Sequence, residues 1–244
     1  MEIEDKIIQR FNESFHIFPD KINSRDFRVK EILKTLGRPS DKKILDLGCG
    51  KGRFCRQIKD AGFVNIIGAD PSKELIKTAR ENNKDIQFVQ ASATSLPFGS
   101  DEFDFLICIE TLSHVLDTEK AIKEMARVLK SGGKILVIDK NILSLHPLYF
   151  IPTFLWKIFL ENRNKWFYPQ NFFFKEKYFS PWKLNKVFKK YFSRTKINFI
   201  RCELENKNQP LFLKFVFKIH SIVSFIFYSF FPFLNLFVAW EGIK

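Results

Sequence analysis

Apolar and polar positions follow two different periods along the first 140 residues. Five short runs are apolar almost throughout and predict strands at 42–48, 65–70, 85–90, 103–110 and 134–140. The intervening segments have the three-to-four-residue apolar spacing of amphipathic helices, at 51–62, 71–83 and 117–133. Apolar strands that alternate with helices of this length are typical of a parallel sheet covered on both faces. The pattern therefore predicts a doubly wound α/β domain.

The flanking segments differ from this alternation. Residues 1–36 are predicted to be helical, and the helix at 25–36 should end at Gly37. After residue 140 the pattern is irregular and aromatic as far as 179, before a helix at 180–192 and a strand at 195–204. We expect one domain in three parts, which are an N-terminal helical cap (1–40), a ligand-binding core (41–140), and a C-terminal part with a substrate lid, a membrane-leaning helix and the last two strands (141–244).

Charge and phenylalanine are unevenly distributed between these parts. Residues 1–140 contain 24 Lys+Arg and 22 Asp+Glu, whereas residues 141–244 contain 16 and 5, so the net charges are +2 and +11. Twenty of the 30 phenylalanines lie after residue 140. Basic charge mixed with bulky apolar side chains favours an anionic membrane surface or a lipid-like partner. The alternatives are nucleic acid binding and a solvated basic surface above an aromatic core.

A glycine-rich loop follows the first predicted strand. The segment ILDLGCGKGRF (44–54) contains Asp46, Gly48, Cys49, Gly50 and Gly52 and leads into a helix. Glycines at such a turn let a ligand lie close against the backbone. A second acid, Asp70, ends the second strand, where a carboxylate can accept hydrogen bonds from both hydroxyls of a ribose.

The spacing of the loop distinguishes between two nucleotide ligands. A nicotinamide site would show GxGxxG around a pyrophosphate, but the loop is GxGxG and is preceded by the carboxylate of Asp46. A carboxylate there would repel a pyrophosphate and would suit an ammonium group. A ligand with a ribose and an ammonium but no phosphate is S-adenosylmethionine. The remaining alternative is a tight turn that binds nothing.

The chain resembles the class I S-adenosylmethionine-dependent methyltransferases, and within them the small-molecule group that includes the ubiquinone and menaquinone enzymes. The resemblance covers roughly residues 40–140, through ILDLGCGKGRF, IIGADPSKELIKTA, FVQASATSLPF, DEFDFLICIETLSHVLD and AIKEMARVLKSGGKILVID. It implies a seven-stranded sheet whose last strand is antiparallel, with the methyl donor bound across the carboxyl ends of the first, second and fourth strands.

The resemblance also implies roles for individual residues. Asp46 and Gly48 would face the methionine part of the donor, Asp70 would hold the ribose, and Pro71 and Ser72 would lie near the adenine. At the end of the fourth strand, Ile109 and Glu110 would flank the donor.

One position departs from the family pattern. The family usually has Asp-Ala before the LPF turn, and the acid accepts from the adenine amino group. This chain has Ser92 followed by Ala93. A hydroxyl can accept the same hydrogen bond but without charge assistance, so we expect weaker donor affinity.

Candidate chemistry lies after the fourth strand. Methyl transfer mainly requires alignment of the nucleophile and removal of its proton. His114 should face the methyl group, and the ordinary pKa of histidine suits a general base; the alternative is a structural loop histidine. Some quinone-related relatives carry a second glutamate before this histidine and hold a metal, but Ser113 occupies that position, so we predict no metal.

Other features bear on the partner and the compartment. No NPPY or DPPY tetrad follows the fourth strand and no RNA-binding module is added, so we expect a substrate other than nucleic acid. Four cysteines without a CxxC pair fit reduced thiols, and the N-terminal residues have no secretory pattern. We expect a cytoplasmic protein, peripheral at the inner face of the cell membrane in the lipid-acceptor case. The sequence leaves the oligomeric state open.

The C-terminal part contains 20 uncharged residues at 221–240. Pro232 divides them, so that residues 210–231 predict a helix with a narrow polar stripe, and 234–244 predict the final strand. Such a helix would lie in an interface more readily than span a bilayer. We also expect a hydrophobic entrance to the site, formed by the aromatic residues of 141–179 and surrounded by Lys157, Arg163, Lys165, Lys175 and Lys177.

These observations favour a methyltransferase for an apolar or lipid-linked small molecule, with O-methylation preferred. The alternatives are a methyltransferase for a soluble metabolite or sugar, whose apolar tail is core, and a non-catalytic donor-binding scaffold.

Overall fold

The computed structural model describes residues 3–145, 152–163, 167, 172, 174–200 and 230–244. The helix predicted at 210–231 therefore lies almost entirely outside the described residues, as do His146, Lys165, Cys202 and His220.

Seven strands form one sheet in the order β3-β2-β1-β4-β5-β7-β6. The strands are β1 (Ile44–Leu47), β2 (Ile66–Asp70), β3 (Gln87–Gln90), β4 (Phe103–Ile109), β5 (Leu129–Lys140), β6 (Ser193–Ile200) and β7 (Phe237–Ile243). The first five run parallel to one another, and β7 is antiparallel to both β5 and β6. The doubly wound sheet with an antiparallel last strand is confirmed.

Helices cover both faces of this sheet. The helices of the described residues are α1 (Ile3–Glu13), α2 (Phe27–Leu36), α3 (Arg53–Asp60), α4 (Lys73–Asn82), α5 (Thr118–Val128), α6 (Thr153–Asn162) and α7 (Pro181–Phe188). Alternate strand residues point to opposite faces. Leu45 and Leu47 therefore join the core formed with α5 and α7, while Ile44 joins the core formed with α2, α3 and α4.

The fifth helix is shorter than the sequence predicts. Its apolar pattern continues to the glycines at 132–133, but the helix ends at Val128, and Leu129 is already extended and paired opposite Phe103. Strand pairing and complete burial of Leu129 override its helix propensity. Gly132 does not end the helix; it lies within β5 at a φ of 77°, and its N–H donates to Lys244 O.

Helix α6 lies in a segment that the sequence pattern predicts to be irregular. Its polarity is reversed relative to α5, because Thr153, Lys157 and Glu161 are the buried residues of α6, whereas its exposed side includes Phe154, Leu155, Ile158 and Phe159. Lys157 donates to Glu176 O at 2.7 Å and lies 3.3 Å from Glu161. Amphipathic helices are recognised in a sequence by an apolar side that faces the core. The buried side of α6 is polar, so the sequence pattern does not reveal this helix.

Two of the lysines expected around the hydrophobic entrance make contacts within the protein instead. Lys157 lies on the buried side of α6, and Lys177 donates to the carbonyls of Val115 and Leu116 at 2.7 Å each. Lys177 therefore fixes the loop after His114, and neither lysine contributes to a basic rim. No helix in the described part of the chain is both long and apolar enough to cross a membrane.

Candidate active site

A cavity of about 500 Å³ opens at the carboxyl ends of the parallel strands. The loops after β1, β2, β3 and β4 form its floor, and α1 with the following turn forms its cover. A crevice at these strand ends is where ligands bind in open α/β sheets.

Most of the residues predicted from the sequence line this cavity. They are Gly48, Cys49, Gly50, Asp70, Pro71, Ser92, Ala93, Ile109, Glu110 and His114. Asp46, Gly52 and Ser72 do not line the cavity. They lie behind the loops whose residues line it. The roles assigned to these residues from the sequence stay predictions; what the structure adds is their arrangement.

The glycine loop lies tightly against the end of β4 and leaves room on its outer side. A Cβ at Gly48 would lie 2.0 Å from Thr111 Oγ1, and the φ of Gly48 is 76°. At Gly50, with a φ of 53°, an added Cβ would meet nothing within 4 Å. Both positions favour glycine because of their backbone conformation. The space beside Gly50 belongs to the cavity.

Asp70 is buried, and both of its oxygens accept a backbone N–H. Oδ2 accepts from Gly50 N at 3.0 Å, and Oδ1 accepts from Ser72 N at 2.9 Å. Each carboxylate oxygen has a second lone pair, so the carboxylate can still accept two hydroxyls from the cavity side. Burial raises the pKa of Asp70 to about 6, against the lowering effect of the two N–H bonds. Asp70 is thus oriented to receive a pair of hydroxyl donors.

The acid that precedes the loop has a different environment. Asp46 is buried in β1 and accepts from Cys55 Sγ at 3.1 Å. Burial raises its pKa to about 7, and the nearby charge of Asp70 adds to the shift. In this arrangement the Asp46 carboxyl bonds to the first turn of α3.

Ser72 and Gly52 also have structural partners. The Ser72 hydroxyl caps α4 by accepting from Leu75 N at 3.2 Å, and it donates to Asn12 Oδ1 of α1 at 2.7 Å. A Cβ at Gly52 would lie 2.7 Å from the ring of Phe88. These contacts position the loop and the covering helix relative to the cavity.

Glu110 is held by two arginines that the sequence analysis did not single out. It has a φ of 51°, its carboxylate accepts from Arg28, and Arg53 lies 4.0 Å away. A positive φ at a non-glycine residue is strained and concentrates at functional sites. Arg53 also lines the cavity, so this end presents one carboxylate and one guanidinium. No sequence signal links Arg28 to Glu110, because 82 residues separate them.

His114 ends a short 3₁₀ turn, Leu112–His114, directly after β4. Asp139 at the end of β5 accepts from Ser113 N at 2.9 Å, and Lys177 N donates to Ser113 O at 2.9 Å. These bonds fix the turn from both sides. The imidazole meets the Phe11 ring edge-to-face, with centroids 5.1 Å apart. Burial lowers the pKa of His114 to about 4, so the ring is neutral at pH 7.

A buried charged group lies behind His114. Glu176 Oε1 is 3.4 Å from His114 Nε2 and accepts from Lys140 Nζ. Although burial opposes ionisation, Lys140 and His114 lower the pKa of Glu176, and Glu176 raises that of Lys140. Both Lys140 and Glu176 line the cavity, and the sequence analysis singled out neither. Lys140 is the last residue of β5, whereas Glu176 lies in a loop 36 residues later in the chain.

Aromatic and aliphatic side chains form the wall around this charged group. They are Phe11, Phe18, Val115, Leu116 and Phe167. Phe11 lies 5.6 Å from Phe18 and 4.8 Å from Phe167, measured between ring centroids. A ligand at this end therefore meets an apolar enclosure with a few polar groups, the usual composition of a small-molecule site.

Three or more His, Cys, Asp or Glu side chains arranged to hold a metal are not found among the described residues. The expectation of no metal stays a prediction. The three described cysteines, Cys49, Cys55 and Cys108, are free and buried.

Comparison with solved structures defines the class of the fold. An S-adenosylmethionine-dependent methyltransferase of Thermotoga maritima aligns over 98% of this chain and 99% of its own, with a TM-score of 0.62 and 22% identity. The fold is that of the class I methyltransferases, as the sequence pattern predicts.

The sequence itself carries the corresponding domain. Residues 45–137 match the family described as "Methyltransferase domain". An uncharacterized methyltransferase of Bacillus subtilis, YcgJ, is 33% identical over 114 residues, which are 44% of each chain. The ubiquinone/menaquinone biosynthesis C-methyltransferase UbiE of Campylobacter jejuni is 29% identical over 57% of this chain and 65% of its own. The resemblance to the methyltransferases and the predicted cofactor, S-adenosylmethionine, are confirmed for this domain.

The alignments span less than two thirds of either relative's length. Within the matched segment, the cavity fits the cofactor, because Asp70 lines it with a carboxylate that has lone pairs left for hydroxyl donors, and a Cβ at Gly50 would meet nothing within 4 Å.

Proposed function

We propose that the protein transfers a methyl group from S-adenosylmethionine to a small acceptor with an apolar body, and that oxygen is the preferred acceptor atom. One observation carries the proposal, namely that the neutral His114 lies in an apolar enclosure that adjoins the donor end of the same cavity. When bound, S-adenosylmethionine supplies an electrophilic methyl group on a positively charged sulfur.

The residues at the donor end bind and orient. Asp70 accepts from the ribose hydroxyls, and the loop at 48–50 lies against the ligand. Glu110 and Arg53 present opposite charges to the ammonium and carboxylate of the amino-acid part. These contacts fix the donor before transfer, and alignment of the reacting groups is the main contribution an enzyme can make to a displacement of this kind.

The residues at the acceptor end move a proton. His114 is neutral at pH 7, because burial has lowered its pKa, and it can take the proton of an acceptor hydroxyl. The imidazolium that results lies 3.4 Å from the Glu176 carboxylate, which stabilises the new charge. Glu176 thus acts through His114 as a positioning residue.

The walls of the acceptor end support an apolar substrate. Phe11, Phe18 and Phe167 surround a space whose polar groups are those of His114, Lys140 and Glu176. The name of the Campylobacter relative refers to quinone synthesis, which supports an apolar ring-bearing acceptor. Deprotonation of a ring hydroxyl would serve methylation at oxygen or at a neighbouring carbon, so we leave the carbon product as an outcome of the test.

The test uses ¹³C-methyl S-adenosylmethionine with the lipid fraction and the aqueous fraction of a cell extract in parallel. We expect label in the lipid fraction, with the ¹³C chemical shift of an oxygen-bound methyl. Label in the aqueous fraction alone would refute the apolar acceptor, and a carbon-bound methyl would refute O-methylation. A His114→Ala control separates enzymatic from background transfer.

We further propose peripheral contact with anionic membranes. The support is the net charge of +11 after residue 140 together with the exposed apolar side of α6. Cosedimentation with phosphatidylglycerol vesicles at low salt, and its absence with phosphatidylcholine vesicles, is the expected result. A protein that sediments with neither kind of vesicle would contradict the proposed membrane contact.

A further inference from the structure

A second acidic residue faces the donor end of the cavity from the covering helix. Glu4 of α1 lines the cavity, and its Oε1 accepts from the Ser92 hydroxyl at 2.5 Å. The Ser92 hydroxyl oxygen also accepts from Thr94 N at 3.2 Å. Ser92 and Glu4 are 88 residues apart in the chain, and they meet at the edge of the cavity where β3 ends.

The positions of Asp70 and His114 define which end of the donor lies there. The ribose is at Asp70, and the methyl group, which lies on the amino-acid side of the ribose, must face His114 beyond β4. The amino-acid part therefore lies towards β1 and β4. The base extends in the opposite direction, from the end of β2 towards that of β3, because β3 is the neighbour of β2 on that side. This direction leads to Ser92 and Glu4.

We propose that Glu4 recognises the exocyclic amino group of the donor's adenine and is the main determinant of base specificity. The proposal rests on the proposed function, since it assigns a contact to the same methyl donor. The amino group is a donor of two hydrogen bonds, and the carboxylate of Glu4 is the charged acceptor at this edge. Ser92 orients that carboxylate and is itself already bonded to Thr94 N.

The covering helix is anchored well enough for this role. Asn12 Oδ1 accepts from the Ser72 hydroxyl at 2.7 Å, at the start of α4. Arg10 donates to Phe167 O at 2.9 Å, and Ile7 is buried against Phe174. These anchors of α1 hold Glu4 over the base. A charged acceptor in a fixed position makes a stronger hydrogen bond than the serine hydroxyl alone.

The test compares two ligands, S-adenosylhomocysteine and S-inosylhomocysteine, by isothermal titration calorimetry. The inosine base carries a carbonyl oxygen in place of the amino group, and this oxygen would be repelled by a carboxylate. Wild type should prefer the adenosine ligand by roughly tenfold or more. In Glu4→Gln the preference should fall to about one, because the amide can donate to the inosine oxygen, and binding of S-adenosylhomocysteine should weaken by about tenfold.

Controls distinguish this contact from a general effect on α1. Glu13→Gln makes the same chemical change on an exposed residue of the same helix and should leave the preference at its wild-type value. Ser92→Asp in the Glu4→Gln background returns a carboxylate to this edge and should restore the preference. An unchanged preference in Glu4→Gln overturns the proposal, whatever the absolute affinity. Failure of the wild type to bind S-adenosylhomocysteine would instead refute the proposed function, and this assignment with it.

Discussion

The two ends of the cavity are built in different ways. The donor end is formed by loops at the carboxyl ends of neighbouring strands, and backbone N–H groups of these loops donate to Asp70. The acceptor end takes Phe11, Phe18, Lys140, Phe167 and Glu176 from outside the matched segment 45–137. In the proposed function, the matched segment supplies most of the groups that hold the donor, whereas the flanking segments supply Glu4 over the base and most of the acceptor end.

Loss of the imidazole should have the largest effect and should be confined to the acceptor end. We expect His114→Ala to lower kcat by about a thousandfold, because it removes the group that takes the proton. The affinity for S-adenosylhomocysteine should stay within about twofold of wild type. The control is His16→Ala, at an exposed position in the turn after α1. A His114→Ala enzyme with near-normal kcat would show that the histidine is structural.

Loss of the Asp70 charge should affect the opposite end. Asp70→Asn removes charge-assisted hydrogen bonds to two hydroxyls, each worth about 1.5 kcal/mol or more, so donor affinity should fall by about a hundredfold. Calorimetry with S-adenosylhomocysteine measures this change, and Asp60→Asn, at the exposed end of α3, is the matched control. Undiminished donor binding in Asp70→Asn would contradict the assignment of the ribose to this residue.

The pKa values of the two ends predict a separation in the pH profiles. Burial raises the pKa of Asp70 to about 6, so the carboxylate is lost as the pH falls through 6. We expect kcat/KM for the donor to drop by about fivefold between pH 6 and pH 5. Burial lowers the pKa of His114 to about 4, so the imidazole stays neutral, and kcat at saturating donor should be flat over this range. A kcat that titrates near pH 6.5 would mean that His114 is not shielded as the structure shows.

The smallest predicted effect concerns stability beneath the donor loop. The pKa of Asp46 is raised to about 7 by burial, so the folded state binds a proton between about pH 4 and 7 that the unfolded state releases. Stability from this group is therefore present at low pH and is lost as the pH rises through 7. Asp46→Asn should stabilise the protein by about 1–2 kcal/mol at pH 8, raising Tm by a few degrees.

At pH 5 the same substitution should stabilise the protein by less than half as much, because Asp46 is then protonated in the folded state and only the unfolded state gains from ionisation. Thermal unfolding at the two pH values measures the difference, with Asp60→Asn again as control. A destabilised Asp46→Asn at pH 8 would show that the hydrogen bond from Cys55 outweighs the cost of the buried charge.

The sequence allowed the donor end to be predicted because its signals are local. Gly48, Gly50 and Asp70 follow directly from strands that can be recognised by their apolar runs, and parallel pairing brings the ends of those strands together. Glu110 and His114, which follow the fourth strand, also line the cavity.

The acceptor end could not be predicted because its contacts connect distant segments. Glu176 reaches Lys140 and His114 from a loop whose sequence has no regular period, and α6 directs its polar side inward against the usual pattern. The pKa of His114 was also expected to be ordinary. Its lowering results from enclosure by groups such as Phe11 and Phe167, which are remote in the chain.

Helix α1 connects the two ends of the cavity. Glu4 and Phe11 are seven residues apart, which is two helical turns, and they contact Ser92 at one end of the cavity and His114 at the other. A helix of this length moves nearly as a rigid unit, so a displacement of α1 at one end of the cavity changes its contacts at the other. The two ends of the cavity are therefore coupled mechanically through one helix.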